Sequence, residues 1–230
     1  MNRHLRGDTI IEVIFAITVF CMVSILTIAM MNQGLATGTA SLEITLAREE
    51  MDAQAEAIRF IHDSYEVERN LPVVNQTYEP LWRALRERIV GDVAPFERNG
   101  ETCEIPTGDG IFALNTRKID PRTTDRDGFD GVGRTIVDPA MLVDGVNRFR
   151  PAPLFARVVY LTDADDVANT NLVAATGSNE ILQVEGIWVQ AVQVAGSPVI
   201  DFHIRACWSA AGRKVVTTLG TIMRVYDPDR

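Results

Sequence analysis

RGDTIIEVIFAITVF, residues 6–20, places one carboxylate, Glu12, just inside an otherwise apolar run. The run extends from Ile10 to Met31, 22 residues whose only ionisable side chains are Glu12 and the Cys21 thiol. As a helix rising about 1.5 Å per residue it spans about 33 Å, enough for a bilayer core of about 30 Å. A buried soluble helix of this length at the front of a chain is disfavoured. A secretory signal peptide would have a shorter apolar region and a small-residue cleavage site. The head MNRHLRG carries Arg3 and Arg6, and no basic residue directly follows the run. The positive-inside rule therefore predicts a cytoplasmic N-terminus and an extracytoplasmic remainder, in a single pass.

Glu12 is not needed by a plain anchor. A carboxylate in a membrane helix costs about 2.5–3.5 kcal/mol at the centre and less near the end. It could reach the headgroups, or it could meet a cation. Cleavage after Gly7 would supply one, because Asp8 would then carry the new amine one helical turn before Glu12.

These residues together resemble a prepilin. A short basic leader ends in Gly7, a glutamate stands five residues beyond the cut, and about twenty apolar residues follow. The family comprises the type IV pilins, with a class III-type leader here, and the pseudopilins of type II secretion. The resemblance covers residues 1 to about 65 and implies a cleaved leader over 1–7. It implies a transmembrane and assembly half-helix over 8–33, an amphipathic half over 34–70 and a globular head over 71–230. It assigns Gly7 and Asp8 to prepilin-peptidase cleavage, Asp8 to N-methylation, and Glu12 to pairing with the amine of a neighbouring subunit. The family usually has Phe or another apolar residue where this chain has Asp8, and a second acid beside the amine works against methylation. The implied partners are other pilin subunits, the peptidase, an inner-membrane assembly platform, and lipid before assembly. The implied location is the cytoplasmic membrane and then a surface filament.

Beyond the membrane, Ile44, Ala47, Met51, Ala55, Ile58 and Ile61 recur at spacings of three and four and predict one apolar helical stripe. The acidic opposite face is poorly suited to lying on anionic lipid. Gly34 and Gly38 mark a soft spot between the two halves, and the helix should end near Asn70, before Pro72. EPLWRALRERIV, residues 79–90, predicts a short helix with Pro80 in its first turn, Leu81, Leu85 and Ile89 on one face and Gly91 as its stop. Strands are predicted at 111–115, 154–161, 180–194, 199–208 and 214–226. In VIDFHIRACW, Phe202, Ile204, Ala206 and Trp208 alternate with polar neighbours, as in a half-buried antiparallel strand. AGSP and AAGR suit hairpins. The expected fold class is α+β, a long N-terminal helix packed on an antiparallel sheet.

The chain carries a formal charge of −9, and losing Arg3 and Arg6 with the leader takes it to −11. Direct nucleic-acid binding is therefore not expected. His4, His62 and His203 have no metal-ligand spacing, and no nucleophile elbow, phosphate loop or dinucleotide fingerprint is present, so no enzymatic activity is expected. DRDGFDG, residues 125–131, presents Asp125, Asp127 and Asp130 on a glycine-bearing turn. They could ligate Ca²⁺, as a loop in some pseudopilins does, or form an Asx-rich turn. TDADD, residues 162–166, has the same ambiguity. Cys103 and Cys207 would face an oxidising compartment; they could bridge or remain buried thiols, while Cys21 would lie in the bilayer. The expectation is a structural subunit, a minor pilin or pseudopilin, of a type IV pilus-like filament. The alternative is a membrane-anchored extracytoplasmic enzyme or binding module that does not polymerise.

Overall fold

A computed structural model describes residues 9–72, 77–91, 103, 105–106, 110–119, 121, 131–139, 142–143, 146–160, 181–209, 216–227 and 229. The chain divides into two compact units, Met1–Glu43 and Ile44–Arg230. Helix α1, Thr9–Glu68, contributes to both and stays helical through Gly34 and Gly38. The second unit holds α2 (Glu79–Glu87), β1 (Ile89–Val90), β2 (Ile111–Leu114), α3 (Gly131–Thr135), β3 (Ile136–Val137), β4 (Leu142–Val143) and β5 (Val146–Asn147). It continues with β6 (Phe149–Arg150), β7 (Arg157–Tyr160), β8 (Ile181–Glu185), β9 (Ile187–Gln193), β10 (Val199–Trp208) and β11 (Thr217–Tyr226).

The main sheet has the order β11-β10-β9-β2-β3, antiparallel at each step, with β1 added parallel to β9. A second sheet has the order β6-β8-β7, and β4 and β5 form a small hairpin. The chain is thus α+β, with a long apolar N-terminal helix whose second half packs on an antiparallel sheet, a pilin-like layout.

The stripe on α1 performs as its periodicity predicts. Ala47, Met51, Ile58 and Ile61 are buried, and Ile44 and Ala55 pack at the margin of the same core. The same core holds Phe112, Trp188, Phe202 and Trp208, all buried. Burial alternates along β10 from Ile200 to Ala206 and breaks only at its end, where both Cys207 and Trp208 are buried. The turn at AGSP joins β9 to β10, with Gly196 at φ 72°.

Two predicted elements differ. EILQVEGIWVQAVQV reads as one strand, but Gly186, at φ 64°, divides it into β8 and β9, which belong to different sheets. A side chain cannot occupy that corner: a Cβ on Gly186 would lie 2.1 Å from the Cys207 carbonyl oxygen and 2.6 Å from the Ala152 Cβ. The Gly186 N–H donates to the Arg150 carbonyl on one side, and its own carbonyl accepts from the Cys207 N–H on the other. The predicted helix over 79–90 stops at Glu87, and Ile89 joins a strand rather than the helical face. Arg88 ends it: its guanidinium returns to the Ala84 carbonyl at 2.7 Å and grips Asp138 with two hydrogen bonds, at 2.6 and 2.9 Å. At the other end, the Glu68 carboxylate accepts the N–H groups of Thr77 and Tyr78, both at 2.7 Å, in place of a side-chain cap from Tyr78.

Candidate functional site

The first unit presents its chemistry on the surface of one helix. From Ile10 to Met31, every described Ile, Leu, Val, Phe and Met side chain is exposed, for example Ile11 at 78% and Phe20 at 72%. This is the one helix among the described residues that is long and apolar enough to cross a membrane. Three of its threonine hydroxyls bond within the helix. Thr18 donates to the Ile14 carbonyl, Thr27 to that of Val23 at 2.8 Å and Thr37 to that of Gln33 at 3.0 Å. A hydroxyl satisfied within its own helix does not need water, so these threonines are compatible with an apolar surrounding.

Glu12 lies in the first turn of α1 and is exposed. A carboxylate there faces the positive end of the helix dipole and the unpaired N–H groups of the first turn. Gly7 and Asp8 lie outside the described residues. Gly34 and Gly38 have nothing within 4 Å of where a Cβ would stand, so their lack of a side chain answers to no contact within the chain itself.

In the second unit, Cys103 and Cys207 stand at disulfide distance, with Cα atoms 5.7 Å apart and both residues buried, while Cys21 is an exposed free thiol. The pair attaches the residue-103 segment to β10 at the corner where Gly186 crosses between sheets. Asp125, Asp127, Asp130 and residues 162–166 lie outside the described residues, so the possible calcium loop has no description. Among the described residues, no three His, Cys, Asp or Glu side chains cluster as a metal site would require.

Three polar arrangements in the head have no counterpart in the sequence reading. Gln54 is fully buried on the apolar stripe: its Nε2 donates to the Leu114 carbonyl at 2.9 Å and its Oε1 accepts the Leu114 N–H at 2.7 Å. Its only signal is phase, since position 54 falls between Met51 and Ile58 on the same face. Glu50, one turn earlier, bonds the Val158 backbone, and burial pushes its carboxyl above the ordinary glutamate range. Finally, the C-terminal residues return to the helices. Tyr65 donates its hydroxyl to Asp229, Arg86 pairs with Asp227 and Asp229, and the His62 ring meets the Tyr226 carbonyl at 2.9 Å. Burial, then the Asp229 carboxylate, raises the Tyr65 phenol, which therefore stays a donor.

Comparison of the chain with protein-family models, with characterised proteins and with solved structures gave no match.

Proposed function

We propose that this chain is a structural subunit, a minor pilin or pseudopilin, that polymerises through the first half of α1 into a filament resembling a type IV pilus. One observation carries the reading. From Ile10 to Met31 the helix exposes apolar side chains on all sides and carries a single acid, and that acid sits in the first turn of α1. Such a surface needs lipid before assembly and neighbouring copies after it. In an apolar bundle Glu12 needs a cation, and cleavage after Gly7 provides one in the free amine of Asp8 on an adjacent subunit. Pairing fixes the axial register, because the wrong register leaves a buried carboxylate and a buried amine uncompensated, at about 3–5 kcal/mol for the broken pair. The role is structural rather than catalytic. Its setting is the cytoplasmic membrane, N-terminus inside, followed by an extracytoplasmic filament built with a prepilin peptidase and a membrane assembly platform.

Glu12→Ala tests this. The variant should insert in the membrane and be processed to an N-terminus at Asp8, read by mass spectrometry, because neither step uses the carboxylate. It should be depleted from sheared filaments and accumulate in the membrane fraction. Normal incorporation of the Ala variant, or an intact Met1 in assembled protein, would end the reading.

A further inference from the structure

On the buried side of α1, Glu50 and Gln54 lie one turn apart and serve two different sheets. Gln54 takes both backbone groups of Leu114, in β2 of the main sheet. Glu50 takes the backbone of Val158, in β7 of the three-stranded sheet. The two positions are chemically unequal. Gln54 is neutral and fully satisfied. Glu50 is an acid, and its Oε1 is buried with no hydrogen-bond partner among the described residues.

The charged and titratable groups facing Glu50 do not remedy this. Arg117, beyond the end of β2, is near enough to favour the carboxylate, but its guanidinium is stacked 4.1 Å above the Tyr160 ring. Tyr160, from β7, has its hydroxyl 2.8 Å from the Thr116 hydroxyl, and burial first, with the Glu50 charge among the lesser causes, keeps the phenol protonated. On α1 itself, the Gln54 amide bonds Glu50 but is shared with Leu114. A carboxylate with one buried, unmatched oxygen costs more to hold than the neutral acid in the same place.

We propose that Glu50 makes the packing of α1 against the three-stranded sheet proton-dependent, as a latch: the Val158 backbone bonds the carboxyl in either state, but ionisation places charge on the buried, unmatched Oε1, and that cost loosens the packing. The direction follows from burial. The folded-state value lies above the ordinary glutamate range, so the folded head binds this proton more tightly than the unfolded chain does. The stabilisation is complete below the unfolded value and is lost as pH rises through the raised folded value. The latch is independent of the role proposed for Glu12, which lies in the other unit.

Glu50→Gln copies the neutral state at every pH. In the full chain in detergent micelles, the variant should melt about 3–6 °C above wild type at about pH 7.5, and the difference should vanish below about pH 3.5. Amide exchange over 157–160, corrected for intrinsic rates, should slow in wild type as pH falls and be pH-independent in the variant. A variant whose melting follows wild type at both pH values, or sits below it at neutral pH, overturns the latch. Should Glu50→Gln fail to fold, wild type decides alone. Carbon-13 NMR of labelled glutamate carboxyls should show one titrating above the ordinary glutamate range, and a set titrating wholly within that range overturns the proposal.

Discussion

Gln54→Leu removes the two hydrogen bonds to Leu114, together with the amide's bond to Glu50, at nearly constant side-chain volume, so it reports what the polar group does on an otherwise apolar stripe. Strand β2 pairs with β9 at Ile111 and Phe112, and at Leu114 the Gln54 amide takes the place of the next strand. After the substitution the Leu114 N–H and C=O would both be buried without that partner, since Leu114 is 0% exposed. Each buried polar group left unmade costs about 1–3 kcal/mol, so the pair costs about 2–6 kcal/mol. The added leucine methyls return part of this, about 1 kcal/mol for the extra apolar area. The net loss expected is therefore about 1–5 kcal/mol, a large share of the 5–15 kcal/mol typical of a domain. Gln54→Glu is the companion variant. It keeps an acceptor for the Leu114 N–H, sets a carboxylate against the Leu114 carbonyl and adds a second buried acid beside Glu50, so it should lose at least as much at neutral pH. Urea unfolding of the full chain in mild detergent, followed by tryptophan fluorescence, measures both. The slope should be unchanged and the midpoint lowered. A Leu variant within about 0.5 kcal/mol of wild type would show that Leu114 finds other partners and that Gln54 caps nothing.

Two further outcomes follow from the corner at Gly186. Cys103 and Cys207 should map as a linked peptide in exported protein, with Cys21 alkylatable; Cys103→Ser should cost about 4–5 kcal/mol, because the bridge spans a sequence separation of 104. Two alkylatable thiols at 103 and 207 would exclude the bridge. Gly186→Ala should be worse than an ordinary loop substitution, since it adds a strained φ to a 2.1 Å clash with backbone, and it should abolish accumulation of folded protein. Wild-type yield and melting would refute the close approach.

What was legible in the chain was what local periodicity encodes. The apolar run of α1, the stripe from Ile44 to Ile61, the first turn of α2 and the alternation of β10 each repeat a pattern several times over. What escaped depends on a partner far along the chain. Ile89 is in phase with Leu81 and Leu85, yet Arg88 closes the helix by reaching Asp138, fifty residues on. Nothing near Gly186 marks it as a crossing between sheets rather than a glycine tolerated in one strand, because the obstacle is the Cys207 carbonyl. Strands of two residues, such as β4 to β6, are shorter than any period. Asp227 and Asp229 look like a solvated acidic tail, yet Asp227 is fully buried against Arg86. Glu12 was readable because it interrupts a uniform background. Gln54 was not, because one polar residue on a stripe invites the reading that the stripe has drifted.

The magnitudes also divide the work between Glu12 and the apolar side chains around it. Between Ile10 and Leu42, seventeen large apolar side chains are at least 45% exposed. Full burial of one such side chain is worth about 1.5–3 kcal/mol, so even half of that for each sums to well over 10 kcal/mol. That exceeds the net stability of many whole domains. A single acid at the helix end, costing less than the 2.5–3.5 kcal/mol of a mid-bilayer charge, cannot reverse it. Whether this segment leaves water is thus decided by the apolar residues. Glu12 can decide only between apolar surroundings that are otherwise nearly equal. Lipid offers it no cation, a misaligned neighbour offers none at the right depth, and an aligned neighbour offers one amine. The apolar surface supplies the driving force in the proposed filament, and the charge selects one register from many. For that reason the Glu12→Ala chain should remain in the membrane and lose its place in the filament.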